Sequence, residues 1–166
     1  MLFLLFVGAL DVRKDPAALL VAWQTARRVD GDLKLVMTGP PGNRARARIP
    51  GAVQLGLVDS DTLADLYTAA ACLVFPSRYE GFGLPCLEAM ACGCPVAAYR
   101  NSSLPEVVDE AGLLVDDGDA RALGDAAAHM IRERERWQRA GLQRAKKFSW
   151  LATANATISA YESVLR

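Results

Sequence analysis

Glu80 and Glu88 bracket the run Gly81-Phe82-Gly83-Leu84-Pro85-Cys86-Leu87, and these residue types at this spacing suit one kind of chemistry. An apolar stretch, Cys72 to Phe75, leads into the run, and a helical pattern leads out of it from about Leu84. Glycine has no Cβ, so Gly81 and Gly83 let a bound molecule approach the backbone closely. A helix opening near Leu84 offers unpaired N–H groups and the positive end of its dipole, which suits a diphosphate. Pro85 is tolerated because it falls in the first turn. Glu88, in the second turn, can accept two charge-assisted hydrogen bonds from a ribose diol. Glu80, in the loop nearer the strand end, can hold the hydroxyls of a sugar. A Gly-x-Gly alone reads as an ordinary tight turn; the two flanking carboxylates favour a ligand.

A second group lies far away in sequence. Arg13 and Lys14 follow the first apolar run, and the next helix opens at Asp15-Pro16. The loop between is short, so both cations fall near the strand's carboxyl end. There they can neutralise a diphosphate and stabilise its charge as it leaves. Arg44, Arg46 and Arg48, in the loop-like segment Pro40 to Pro50, are a weaker cationic candidate. The four cysteines, Cys72, Cys86, Cys92 and Cys94, include no Cys-x-x-Cys pair, and the single histidine, His129, is remote. No zinc site is expected. The thiols read as reduced and mostly buried, in a cytoplasmic protein.

The elements that must position these residues alternate between apolar runs and helical patterns, the mark of a parallel α/β sheet. Strands are expected at Leu2–Val7, Leu33–Met37, Ala52–Leu55, Cys72–Phe75, Pro95–Tyr99 and Gly112–Val115. Asp15 caps a helix with Pro16 at its first position and Leu19, Leu20 and Trp23 on its inner face. Ser60 is expected to cap a helix running to about Ala70, and Ser103 with Glu106 to form a capping box. A long helix follows from about Ala120, dense in charge from Arg132 to Arg139, and Ser149 caps a last helix carrying Trp150, Leu151, Ile158, Tyr161 and Leu165. Six strands with helices between them predict a doubly wound, Rossmann-like parallel sheet covered on both faces. Ligands on such sheets bind outside the carboxyl ends of the strands, here Gly8, Gly39, Gly56, Ser77 and the residues after Tyr99.

With 166 residues, 52% hydrophobic and 23% charged, the chain suits one globular domain with a sizeable core. Its zero net charge gives no general attraction for nucleic acid or an anionic membrane. The apolar start, Met1 to Val7, lacks a basic flank and a cleavage site and is too short to span a bilayer, so it reads as a buried strand.

These residues resemble the C-terminal, nucleotide-sugar-binding half of glycosyltransferase family 4, the retaining enzymes of the GT-B fold. The likeness runs through Phe6 to Lys14, Leu35 to Gly39, Val53 to Val58, the Glu80–Glu88 run, Ser102 to Glu106, Ala111 to Val115 and Phe148 to Trp150. It implies that Glu80, with Ser77 beside it, contacts the donor sugar, and Glu88 the ribose. It places backbone N–H groups of Phe82, Gly83 and Leu84 on the sugar and phosphates, and Arg13 and Lys14 on the diphosphate beside Gly8. Gly39, Leu57 and Val58 line the nucleobase pocket. No metal or other cofactor is required where those cations serve. Many members carry Arg directly after the glycine of strand one, where this chain has Ala9; others place Arg immediately before the Lys, as here.

The resemblance further implies a missing N-terminal domain that binds the acceptor, glycan or lipid, so residues 1–166 read as a cloned donor-binding domain. Alone, it is expected not to transfer sugar. The parent would move a hexose from a nucleotide diphosphate sugar to an acceptor hydroxyl. The Ser102–Glu106 and Val12–Lys14 pieces tilt the donor toward GDP-mannose. A non-catalytic nucleotide-sugar-binding module is the alternative. A glycoside hydrolase using Glu80 and Glu88 fits poorly, because these carboxylates flank an anion-binding turn rather than a cleft. The last helix, deprived of the absent domain, is expected to expose apolar surface and invite self-association. The parent would be cytoplasmic, peripheral at the inner membrane.

Overall fold

Phe3, Leu4, Leu5 and Phe6 are all buried, and successive side chains leave a strand on opposite faces. A strand apolar on both faces belongs in the middle of a sheet covered twice. The computed structural model, which describes residues 1–40 and 49–165, puts it there. Strand β1 (Phe3–Val7) is central to a six-stranded sheet with β2 (Lys34–Thr38), β3 (Val53–Gly56), β4 (Cys72–Phe75), β5 (Val96–Tyr99) and β6 (Leu113–Val115). The order is β3-β2-β1-β4-β5-β6, and every pairing is parallel. All carboxyl ends therefore share one edge, and the winding direction reverses between β1 and β4.

Helices α1 (Pro16–Ala26) and α5 (Ala120–Arg132) cover one face, burying Leu19, Trp23, Leu123 and Met130 against Leu4, Phe6, Leu35 and Val74. Helices α2 (Ser60–Ala69), α3 (Leu84–Ala91) and α4 (Leu104–Val108) cover the other, where Tyr67, Met90 and Leu104 meet Phe3, Leu5, Leu73 and Phe75. Helix α6 (Arg134–Ala145) lies against α3, with Gly141 where a Cβ would come within 3.3 Å of Met90. Helix α7 (Trp150–Val164) ends the chain and is exposed along its whole length. No described helix is long and apolar enough to cross a membrane.

Expected strand bounds shift by no more than a residue or so, but four local readings change. Asp59, not Ser60, caps α2, its carboxylate accepting the Thr62 N–H at 2.7 Å. Ser103 and Glu106 form no capping box, since the Ser103 hydroxyl donates instead to the Glu80 carbonyl at 3.2 Å. The long helix from Ala120 breaks at Glu133 into α5 and α6, which turns Trp137 into the core. Leu20 is only partly buried, while Leu19 and Trp23 are fully inside. Asp15 and Ser149 cap α1 and α7 as expected. Arg44, Arg46 and Arg48 lie outside the described residues.

Candidate functional site

The reversal between β1 and β4 opens a crevice at their carboxyl ends, and the two sequence-distant charged groups meet there. After β1 the chain makes one 3₁₀ turn, Val12–Lys14. Asp11 holds that turn by accepting the backbone N–H of Arg13 at 3.0 Å and of Lys14 at 3.1 Å. The turn points Lys14 back over the sheet. Its ammonium lies 4.2 Å from the centre of the Phe75 ring and pairs with the Glu80 carboxylate. Gly8, at a positive φ of 142°, leaves room for this return, since a Cβ there would stand 3.4 Å from Lys14 Cε.

Only 13% of the Lys14 side chain and 14% of the Glu80 side chain remain exposed, so the pair is shielded from bulk water. The same Glu80 Oε1 also accepts the hydroxyl of Ser77, which is fully buried. A charge-assisted contact of this kind is strong where water is excluded. Arg13 lies elsewhere: its side chain is 69% exposed and bonded to Asp11 at 3.0 Å. Of the two cations, the fold brings Lys14 to Glu80 and leaves Arg13 at the rim.

The Gly81–Leu84 segment lies beside this pair. Gly83 takes φ 91° as the N-cap of α3 and supplies no side-chain cap. Among the described residues the N–H groups of Gly81, Phe82, Gly83 and Leu84 find no acceptor. Gly81 faces open space. The start of α3 thus presents a cluster of N–H donors at the positive end of a helix dipole. One turn further on, Glu88 is exposed, and its carboxylate accepts the Tyr67 hydroxyl at 3.0 Å. Burial and the nearby Glu88 charge push that hydroxyl well above its ordinary 10, so Tyr67 remains a donor at any working pH.

On the other side, Gly39 directly follows β2 at φ 143°. A Cβ at Gly39 would lie 2.4 Å from the Gly8 carbonyl oxygen, so backbone contact alone demands glycine there. Leu57 is 72% exposed beyond β3, with Val58 half-buried beside it. An apolar cleft of about 480 Å³ runs along α3, with Phe82, Leu84, Leu87, Glu88, Phe148 and Trp150 in its lining, and Lys14 and Glu80 lie outside it.

Several site residues carry no signal in the local sequence. Phe75 and Tyr67 read as core residues, yet one underlies Lys14 and the other anchors Glu88. Arg78 ties the two loops together, pairing with Asp15 at 2.7 Å while its N–H donates to the Arg13 carbonyl at 2.8 Å. The turn after β5 reaches the Glu80 loop through three side chains, with Asn101 Nδ2 donating to the Ser77 carbonyl at 3.0 Å. The Glu80 N–H donates to Ser102 Oγ at 3.0 Å, and Ser103 holds the Glu80 carbonyl. Only the run of small polar residues directly after a strand end hinted at them.

The chain is similar in sequence and in fold to known proteins. The O-antigen chain mannosyltransferase B of Escherichia coli is 37% identical over 96% of this chain and 45% of its own length. The D-inositol 3-phosphate glycosyltransferase of Segniliparus rotundus is 33% identical over 97% of this chain and 40% of its own. The chain therefore spans less than half the length of these curated relatives. Among solved structures, sucrose-phosphate synthase from Thermosynechococcus elongatus superposes with a TM-score of 0.82 at 29% identity, covering 99% of this chain and 45% of that one. TarM shares the fold, with a TM-score of 0.80 at 14% identity over 95% of this chain and 34% of that one. Residues 2–133 match the family described as glycosyl transferases group 1, and this chain belongs to it.

Proposed function

We propose that this chain is the C-terminal, donor-binding half of a retaining glycosyltransferase of family 4. The parent protein transfers a hexose from a nucleotide diphosphate sugar to an acceptor hydroxyl. One observation carries this reading above the others. Lys14 and Glu80, 66 residues apart, meet at the switch point of the sheet beside the uncapped start of α3. A cation, an array of N–H donors and a carboxylate within one crevice match a diphosphate joined to a sugar. Mannose is the hexose favoured by the Ser102–Glu106 and Val12–Lys14 pieces and by the likeness to a mannosyltransferase.

In this reading the diphosphate sits on the N–H groups of Phe82, Gly83 and Leu84, and Lys14 supports its outer charge. Glu88, held from beneath by Tyr67, takes the ribose diol. Glu80 orients the sugar. As the glycosidic bond breaks, negative charge grows on the departing phosphate, and Lys14 and the α3 dipole stabilise it. Arg13 adds to that field from the rim. Leu57, Val58 and Gly39 border the base. No metal ion takes part, and the acceptor, glycan or lipid, binds on the remainder of the parent, which works in the cytoplasm at the inner membrane surface. This half alone binds donor and does not transfer sugar.

Calorimetric titration with GDP, UDP and ADP, and then with the matching diphospho-sugars, tests the reading. One nucleotide should bind selectively, with at least about tenfold weaker binding in Glu88→Ala. Binding should survive EDTA. No binding of any nucleotide at millimolar concentration, here and in the full-length parent, would reject the donor site.

A further inference from the structure

We propose that Ser102 and Ser103 are positioning residues for Glu80. Two hydroxyls grip both ends of the Glu80 backbone: Ser102 Oγ accepts its N–H at 3.0 Å, and Ser103 Oγ donates to its carbonyl at 3.2 Å. Asn101 completes the grip. Its Oδ1 accepts the Ser102 hydroxyl proton at 3.0 Å, which turns a Ser102 lone pair toward the Glu80 N–H. Its Nδ2 donates to the carbonyl of Ser77, the residue whose hydroxyl meets the Glu80 carboxylate.

Local structure is set aside to make this clamp. Ser103 sits at the N-cap of α4, where a serine side chain ordinarily accepts an N–H of its own helix, and it makes no such bond. Ser102 adopts φ 44°, a left-handed conformation uncommon for serine. Neither residue has a position in the core, since Ser102 is exposed and Ser103 half-buried. Their contacts serve the loop across the crevice. With backbone and carboxylate both fixed, Glu80 is held in one orientation while Lys14 is free to serve the phosphate through its remaining protons.

This inference rests on the reading of Glu80 as the sugar contact, and the test separates the two. GDP and GDP-mannose, with UDP and UDP-glucose in parallel, are titrated into wild type, Ser102→Ala, Ser103→Ala, Ser103→Thr and Glu80→Ala. The readout is the preference for the diphospho-sugar over the bare diphosphate, alongside amide hydrogen exchange at Glu80. Glu80→Ala should erase the preference. Ser102→Ala and Ser103→Ala should each reduce it about three- to tenfold, the loss expected for one hydrogen bond, and should speed exchange at the Glu80 amide. Affinity for the bare diphosphate and the melting temperature should hold, and Ser103→Thr, which keeps the hydroxyl, should restore the preference. A Glu80→Ala effect with no change in the serine variants overturns the clamp and leaves the site reading standing. An unchanged preference in Glu80→Ala, or no nucleotide binding here and in the full-length parent, removes the site reading and the clamp with it.

Discussion

Lys14 faces two demands from one place. Its ammonium is paired with Glu80 and lies over Phe75, yet the proposed site asks it to meet a phosphate as well. An ammonium has three donors, so geometry permits both contacts. Charge does not favour them equally, because Glu80 cancels part of the field a diphosphate would feel, and the exclusion of water strengthens that cancellation. Glu80→Gln should therefore tighten the bare nucleoside diphosphate by about threefold to tenfold, a shift of the size one charged hydrogen bond produces. In the full-length parent the same variant should lose most transfer activity. Lys14→Met should act in the opposite direction, weakening the diphosphate about tenfold or more. Equilibrium titration measures both, and a Glu80→Gln domain that binds the diphosphate more weakly than wild type contradicts the argument.

The elements show why some of this was legible in the chain and some was not. Glu80, Gly83 and Glu88 lie within one strand–turn–helix unit, whose spacing is a property of the local sequence. Tyr67, Asn101, Ser102 and Ser103 reach that unit from α2 and from the turn after β5. Their neighbourhood depends on strand order, which no residue pattern near them encodes. The Ser103-x-x-Glu106 pattern misled for the same reason, because a tertiary partner outbid the local one. At the start of α2 the cap falls one residue before the expected Ser60, because the Asp59 carboxylate reaches the third following N–H, that of Thr62. Asp59→Ala should thus cost about 1 kcal/mol of stability, and Ser60→Ala only a few tenths. Gly39→Ala should cost far more, since its Cβ would meet the Gly8 backbone at 2.4 Å and its φ is one that alanine resists. Thermal or urea unfolding of the three variants orders these effects.

At the scale of the whole molecule, a core closed on both faces of the sheet contrasts with a helix that has no core. Cys72, Cys86 and Cys94 are buried, and burial raises their thiols above the ordinary 9.0, Cys94 to about 12. Burial and the neighbouring Asp15 likewise push Tyr99 up to about 12. These groups keep their protons in the folded state at pH values where the unfolded chain loses them. The stability these groups contribute is full below pH 9.0 and is lost as pH rises toward about 12. Native protein at pH 8 should offer thiol reagents the half-buried Cys92 first, and the other three only on unfolding. Helix α7 follows a different logic. Trp150 is 80% exposed, Leu151 72%, Tyr161 69% and Val164 83%, a row of large apolar side chains left in water. Such surface is a driving force for association, at roughly 25 cal/mol per Å² buried. Sedimentation over a range of concentrations should show a second copy binding through this helix. Deleting residues 150–166 should return the chain to a monomer with its melting temperature nearly unchanged, because α7 contributes no buried residue to the fold. A chain that stays monomeric at the highest concentration would contradict pairing through α7, and a large loss of stability on deletion would contradict its independence from the core.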